Sequence, residues 1–169
     1  MRRIAIWLVV LAVVAGAVWW TQFRPREARI TVYFVGTVDG AGTVVPIERT
    51  VPGRRPEEIL RAAVEALLAG PTSAERARGI TTEIPGGTRL HSLTVREGVA
   101  VIDLTEAIAS GGGSSSMQGR LWQIVYTGTQ FPGVRQVRLL IEGAERQALG
   151  GEGVLIDRPI TRPPAFPRF

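Results

Sequence analysis

The sequence predicts an α+β domain in which a single mixed β-sheet carries two main helices on one face, preceded by an N-terminal transmembrane helix. Three observations lead to this class. Short runs of alternating apolar and polar residues indicate strands, two longer apolar stripes at helical spacing indicate helices, and the first apolar segment is long enough to cross a bilayer. The elements follow the order strand, strand, helix, short helix, strand, strand, helix, strand, strand. A chain of 169 residues with this order is expected to build one layered core.

The N-terminal segment is uncharged from residue 4 to residue 23 and is apolar over most of that length. A helix of about 20 such residues spans a bilayer. Two arginines precede the segment, and Trp19 and Trp20 lie where aromatic residues meet the far interface. We therefore expect residues 1–23 to anchor the protein in a membrane, with the bulk of the chain outside. A signal peptide cleaved after residues 15–17 and a buried helix of a soluble fold are the alternatives.

The pattern changes to a period of two after a short charged linker, residues 24–29. Alternation over residues 30–35 predicts a half-buried strand, and a second strand is predicted over residues 44–51. Because Pro46 cannot donate a hydrogen bond to a neighbouring strand, the second strand is expected at a sheet edge.

The first main helix is predicted to begin at Pro56, a residue suited to the first helical position. A continuous apolar stripe follows, and Gly70 and Pro71 are suited to end the helix. The spacing of Thr72 and Glu75 then matches a capping box, which predicts a helix of one turn.

A hairpin is predicted over residues 91–104, with its turn at Glu97 and Gly98. A run of glycines and serines, residues 111–116, leads into the second main helix, whose apolar stripe continues to Gly128. The sequence therefore predicts a strand pair joined to a helix by a glycine-rich connection.

The second helix is predicted to end at a proline-glycine corner in which Gly133 requires a positive φ. The corner directs the strand of residues 137–141 beneath both helices. Glu142 is the only side chain near this corner that suits chemistry at neutral pH, so the corner is interpreted as architectural. The proline-rich end of the chain, from Pro159 through the tail of residues 163–169, is expected to be extended rather than packed.

Composition narrows the classes of function. The absence of cysteine excludes disulfides, thiolate metal sites and the acylated cysteine of a bacterial lipoprotein. The net charge of +5 arises partly from the arginines that flank the apolar segment, and charges alternate in sign elsewhere. A nucleic-acid partner is therefore not expected.

Side chains that could perform catalysis are few. The single histidine, His91, shares its strand face with Leu93 and Val95, so a partly buried structural histidine is favoured over a general base. One histidine without cysteine cannot supply a zinc or iron site. Glu57 and Glu58 are adjacent on a helix and point apart, which does not suit a catalytic carboxylate pair. No catalytic, metal-binding or cofactor-binding residue is predicted, and no cofactor is expected.

Two motifs leave alternatives open. The glycine-serine run could hold a phosphate on its amides, but it lacks the lysine of a P-loop. A flexible connection, with one of the serines at 114–116 as helix N-cap, is favoured. Asp103 could be an acid on the rim of a site, but it is expected to bind backbone amides at the turn, as Thr105 also could.

Six stretches occur in the order of a known family: ITVYFV at 30–35, VPIERTV at 45–51, LLAGPT at 67–72, TTEIPGGTRLHSLTVREGVAVIDLT at 81–105, IVYTGTQFPGVRQVRLLIEG at 124–143 and PITR at 159–162. On these stretches, residues 30–162 resemble the GerMN domain, the sporulation and spore germination module of bacterial extracytoplasmic proteins. The resemblance implies an α+β domain outside the cytoplasmic membrane, held by a lipid anchor or a transmembrane segment. It also implies action through protein contacts, without an established enzymatic activity. This chain has no anchor cysteine and carries a single copy of the domain.

We therefore expect a non-catalytic, membrane-anchored interaction domain, with an envelope or sporulation protein or a second copy of itself as its partner. Arg135, just before the predicted strand that follows the corner, and Arg138, on that strand, are expected to be exposed for such a contact. The alternative is a ligand-binding module for a cell-wall fragment or another anion, using the glycine-rich loop with Arg89 and Arg120. An enzyme that acts on the envelope is a third hypothesis.

Overall fold

The computed structural model describes residues 27–151 and 153–169, together with Gly16. Apart from Gly16, the predicted membrane anchor of residues 1–23 lies outside the described residues. Within the described part of the chain, no helix has the length and apolarity that crossing a membrane requires.

The described residues form an α+β domain with two main helices, as predicted. Its elements are β1 (Glu27–Val38), β2 (Ala41–Pro52), α1 (Pro56–Leu68), α2 (Ser73–Arg76), β3 (Leu90–Arg96), β4 (Val99–Leu104), a 3₁₀ helix (Glu106–Ala109), α3 (Ser114–Gly128), β5 (Gln136–Ile141), β6 (Ala148–Leu149), β7 (Val154–Leu155) and β8 (Ile160–Thr161).

The strands form three sheets among the described residues, so the prediction of a single sheet is wrong. β1 pairs with β2, β6 pairs with β7, and the mixed four-stranded sheet has the order β3-β4-β5-β8. The separation arises at the outer edge of β1. The amide of Tyr33 donates to Oγ1 of Thr127 at 3.1 Å, and the side chain of Gln130 bonds to both the amide and the carbonyl of Thr31. Side chains from α3 and the residues after it therefore occupy the position of a neighbouring strand.

The core lies where the two main helices meet both larger sheets. α1 contacts α3, β1, β2 and β3, and α3 also contacts β1, β2 and β5. Phe34, Leu60, Ile102, Ile124 and Leu139, one from each of five elements, are at most 2% exposed. The apolar stripes predicted for the helices and the apolar faces of the strands thus share one main core.

The strands β4 and β5 are parallel and are joined through the 3₁₀ helix and α3. Their carboxyl ends therefore meet at one edge of the sheet, which brings Asp103 close to Glu142 and Gly143. The face of this sheet that includes Ala100 and Val137 is buried.

β2 is an edge strand, as Pro46 predicts, since among the described residues it pairs along its length with β1 alone. At one end, Gly42 exchanges two backbone hydrogen bonds, of 3.1 and 3.0 Å, with Phe169. The polar groups of Gly42 thus point away from β1, and those of every second residue along β2 do the same. Pro46 and Pro52 occupy such outward positions.

The end of the chain is extended but packed, so the prediction of an unpacked tail is wrong. The hydroxyl of Tyr126 lies 3.0 and 2.8 Å from the carbonyl oxygens of Pro163 and Ala165. Phe169 packs closely on Gly119 of α3, where an added Cβ would lie 2.9 Å from its ring. The tail carries apolar surface that these contacts bury, and its proline content alone does not reveal this.

The predicted turns are confirmed by their backbone angles. Gly133 has a φ of 85°, and Glu97 and Gly98 have φ values of 53° and 82°, as a tight two-residue hairpin requires. Thr72 and Glu75 form the predicted capping box of α2.

Candidate functional site

Polar side chains cluster at the carboxyl ends of β4 and β5, the position at which parallel strands often carry functional groups. Oε2 of Glu142 lies 3.1 Å from Nε2 of His91, and Oε1 accepts a hydrogen bond of 2.9 Å from the amide of Glu106. The Glu106 amide, and then His91 and Arg89, lower the pKa of Glu142. A carboxyl group with a lowered pKa is ionised at neutral pH, so Glu142 acts here as a hydrogen-bond acceptor that holds the start of the 3₁₀ helix.

His91 is exposed, with 43% of its side chain accessible, so the prediction of a partly buried histidine is wrong. The strand register shifts between Leu90 and Ser92, which interrupts the alternation on which the prediction depended. The side chain of His91 consequently reaches Glu142 instead of the buried face of Leu93. Nothing in the local pattern of the sequence signals this irregularity.

Asp103 and Thr105 bind backbone amides, as predicted. Oδ1 of Asp103 accepts a hydrogen bond of 2.8 Å from the amide of Gly143, and Oγ1 of Thr105 accepts one of 3.0 Å from the amide of Arg89. Both residues are buried. Their side chains therefore fix the loops at the end of the sheet.

Arg120 is buried, with 3% of its surface exposed. Its guanidinium donates to four carbonyl oxygens and one hydroxyl, namely those of Glu83 (2.9 Å), Ile108 (2.8 Å), Ser110 (2.9 Å), Gly111 (2.7 Å) and Ser116 (3.2 Å). A guanidinium has five N–H donors, and all five are engaged. Burial lowers the pKa of Arg120, while the charge of Glu83 raises it. Arg120 is thus unavailable to an anion, and its predicted role in a ligand site is wrong.

The glycine-serine loop is shaped by Arg120, which binds the carbonyls of Ser110 and Gly111. Gly111 and Gly112 have φ values of 61° and 82°. Gly113 is the N-cap of α3 and no side chain caps this helix, so the predicted serine N-cap is wrong. Ser116 instead donates to Glu83 at 2.7 Å. The loop is therefore held by a buried side chain rather than being a flexible connection.

The remaining predicted arginines differ in exposure. Arg89 and Arg135 are exposed, and Arg135 donates to the carbonyl of Glu97 at 3.1 Å. Arg138 is half-buried and pairs with Glu145 at 2.9 Å, so its predicted exposure is wrong. On the first main helix, Glu58 bonds to the amide of Arg55 at 3.2 Å. The carboxylate of Glu58 thus accepts a hydrogen bond from a free amide at the N-terminus of α1.

The face of the four-stranded sheet opposite the core is a candidate surface for contact with another molecule. Alternation along the strands places Val99 and Val101 of β4, and Leu140 of β5, on this side, where all three are half-buried. Thr94 and Arg96 of β3 are exposed beside them. We call this surface, formed by the five residues, the outer sheet face. It combines apolar area with polar and cationic groups.

Among residues 27–151 and 153–169, no group of three or more histidine or acidic side chains is placed to hold a metal ion.

These features define a small α+β domain with a mixed sheet. The sequence profile of the Germane family, described as sporulation and spore germination, matches residues 31–147, which is more than half of the chain. The chain therefore belongs to the sporulation and spore germination family, and its resemblance to the GerMN domain is confirmed.

Solved structures share this fold. The tandem GerMN domains of the sporulation protein GerM from Bacillus subtilis align with a TM-score of 0.65 and 22% identity, covering 81% of this chain and 46% of that chain. The first GerMN domain of the same protein aligns with a TM-score of 0.62 and 21% identity, covering 80% of this chain and 98% of that domain. A "Putative Lipoprotein" from Clostridium perfringens aligns with a TM-score of 0.59 and 22% identity, covering 80% of this chain and 88% of that chain.

The chain thus spans about half the length of the tandem structure. At these identities, the likeness establishes the common fold. Comparison with curated proteins gave no significant match.

Proposed function

We propose that this chain is a non-catalytic, membrane-anchored interaction domain that acts outside the cytoplasmic membrane in sporulation, germination or another envelope process. Membership of the family supports the process. The similar fold of the clostridial protein, which is described as a lipoprotein, supports an envelope location. Residues 4–23 supply the anchor in this proposal, because the chain has no cysteine to acylate.

In this proposal the protein partner binds the outer sheet face. Val99, Val101 and Leu140 offer apolar area, while Thr94 and Arg96 offer polar contacts around it. Protein interfaces have this mixed composition, with arginine enriched over other charged residues. The partner is an envelope or sporulation protein, or a second copy of the chain.

The polar side chains at the end of the sheet support a non-catalytic role. Asp103 is bonded to Gly143, and Glu142 to Glu106 and His91. Each of these contacts fixes a loop. Changing His91, Asp103 or Glu142 to alanine is therefore expected to alter stability and to remove no chemical activity. A purified protein that hydrolyses peptidoglycan or a phosphate ester, and loses this activity in one such variant, would refute the proposal.

The surface is tested by photo-crosslinking in membranes of the native host. A photoreactive residue at Thr94 should give covalent adducts with the partner, whereas the same residue at Glu65, an exposed position on α1, should not. Val101→Glu should reduce the adducts formed from Thr94, because a charge on this face opposes burial. Equal yields at the two positions would exclude the outer sheet face as the contact surface.

The location is tested separately. Protease added to spheroplasts should digest the domain of residues 30–162 in the membrane fraction. Complete protection, or a mature protein that begins at Val18, would contradict the anchored arrangement.

A further inference from the structure

A groove of about 650 Å³ lies between the N-terminal half of α3 and the segment of residues 153–161. Small-molecule sites typically have volumes of roughly 300–1,000 Å³. The groove shares no residue with the outer sheet face or with the cluster around Glu142. It is therefore a separate feature of the molecule.

One part of the groove is apolar. Trp122 and Ile160 are half-buried along it, and Leu155 is 58% exposed, one of few large apolar side chains with such exposure in the described residues. An indole ring offers a broad flat surface against which a ligand ring can pack. The groove can thus bury one apolar face of a small ring-shaped ligand.

The other part of the groove is rich in hydrogen-bond donors. Within the described part of the chain, the guanidinium of Arg158, the amide of Gln118 and the indole N–H of Trp122 have no hydrogen-bond partner. Arg158 is exposed. These donors and the positive charge of Arg158 complement a ligand that carries acceptors and a negative charge.

We propose that the groove binds a carboxylate-bearing saccharide, with the sugar ring packed against Trp122 and its carboxylate paired with Arg158. Gln118 can both donate to and accept from hydroxyl groups of the ring. An extended peptide fits less well, because it binds by pairing with an open strand edge. One wall here is a helix, whose backbone groups bond internally. The other wall offers only the two-residue strands β7 and β8, and Pro159, which has no N–H, lies between them.

The test compares two sugars that differ by one acidic group. Titration calorimetry of the full chain in detergent would measure N-acetylmuramic acid, which carries a lactyl carboxylate, against N-acetylglucosamine, which does not. We expect the acidic sugar to bind up to about fivefold more tightly, because an exposed ion pair contributes a factor of that order. Arg158→Met should abolish the preference.

The matched control is Arg78→Met, which removes the same charge from an exposed position outside the groove and should leave binding unchanged. Gln118→Leu should weaken both sugars, and melting curves would establish that each variant folds. Absence of binding at millimolar sugar, equal affinity for the two sugars, or unchanged affinity in Arg158→Met would each overturn the proposal. Tighter binding of a short acidic peptide would overturn the saccharide assignment. Because the groove lies apart from the outer sheet face, none of these outcomes decides the proposed interaction function.

Discussion

The hydroxyl of Thr127 accepts a hydrogen bond of 3.1 Å from the backbone amide of Tyr33, so a helix side chain closes the edge of a strand. Thr127 is fully buried. Thr127→Val keeps the shape of the side chain and removes the acceptor, leaving the amide of Tyr33 unpaired. We expect a loss of about 1–3 kcal/mol in the free energy of unfolding, measured by urea denaturation.

The control for this change is Thr94→Val, which makes the same replacement at an exposed position and should shift stability by less than about 0.5 kcal/mol. Equal stability of the two variants would mean that the amide of Tyr33 finds another partner, and that the hydroxyl does not hold the edge.

Arg120 should be among the most sensitive positions in the domain. Arg120→Met removes donors from four carbonyl oxygens that the buried guanidinium binds. We expect the free energy of unfolding to fall by roughly 3 kcal/mol or more, since each unpaired buried acceptor is destabilising. Arg89→Met, at an exposed position, should cost less than about 0.5 kcal/mol. If both variants had the same melting temperature, the conformation of the glycine-serine loop would not depend on Arg120.

Gly133→Val should destabilise the domain through its backbone alone. Gly133 has a φ of 85°, and apart from its two neighbours in the chain no residue has an atom within 4 Å of the position that a Cβ would occupy. We expect a cost on the order of 1–3 kcal/mol from strain in this conformation. Gly133→Asn should cost less, because asparagine tolerates positive φ. A valine variant with the melting temperature of the parent would contradict the architectural role of the corner.

The ion pair between Glu75 and Arg49 should make stability depend on acid pH. Oε2 of the buried Glu75 accepts a hydrogen bond of 2.5 Å from Nη2 of Arg49. The Arg49 guanidinium and the Thr72 amide lower the pKa of Glu75 from 4.5 to about 2. Because the folded state has the lower pKa, this stabilisation is complete above about 4.5 and is lost as the pH falls toward 2.

Urea denaturation between pH 6 and pH 2.5 would measure this dependence. Glu75→Gln should be less stable at pH 6 and should approach the parent as the pH falls, whereas Glu65→Gln, at an exposed position, should follow the parent throughout. A constant difference between Glu75→Gln and the parent would show that the charge of Glu75 is not the cause.

Local patterns in the sequence predicted the elements closely. The helix that begins at Pro56, the capping box at Thr72 and the edge strand containing Pro46 all depend on residues near one another in the chain. The division into separate sheets depends on Thr127 and Gln130 meeting β1. These residues are 94 and 99 positions away from the amides that they bind, and no local pattern records such a pairing.

The candidate site was harder to predict for the same reason. The sequence correctly assigned Asp103 to backbone amides, because an aspartate at a strand end often has that role. The alternative hypothesis of a ligand site included Arg120 because it lies near the glycine-rich loop in the sequence. Only the fold brings the carbonyls of Glu83, Ile108 and Ser110 around its guanidinium.

The two prolines on the outward side of β2 limit how far this sheet can grow. A strand added from a neighbouring molecule would find no amide donor at Pro46 or Pro52, and between them only Glu48 and Thr50 present outward N–H groups. That interval is shorter than an average strand, so it is a poor template for strand-by-strand aggregation. Pro46 therefore removes a donor that an added strand would need, and a stabilising redesign of this hairpin should leave it in place.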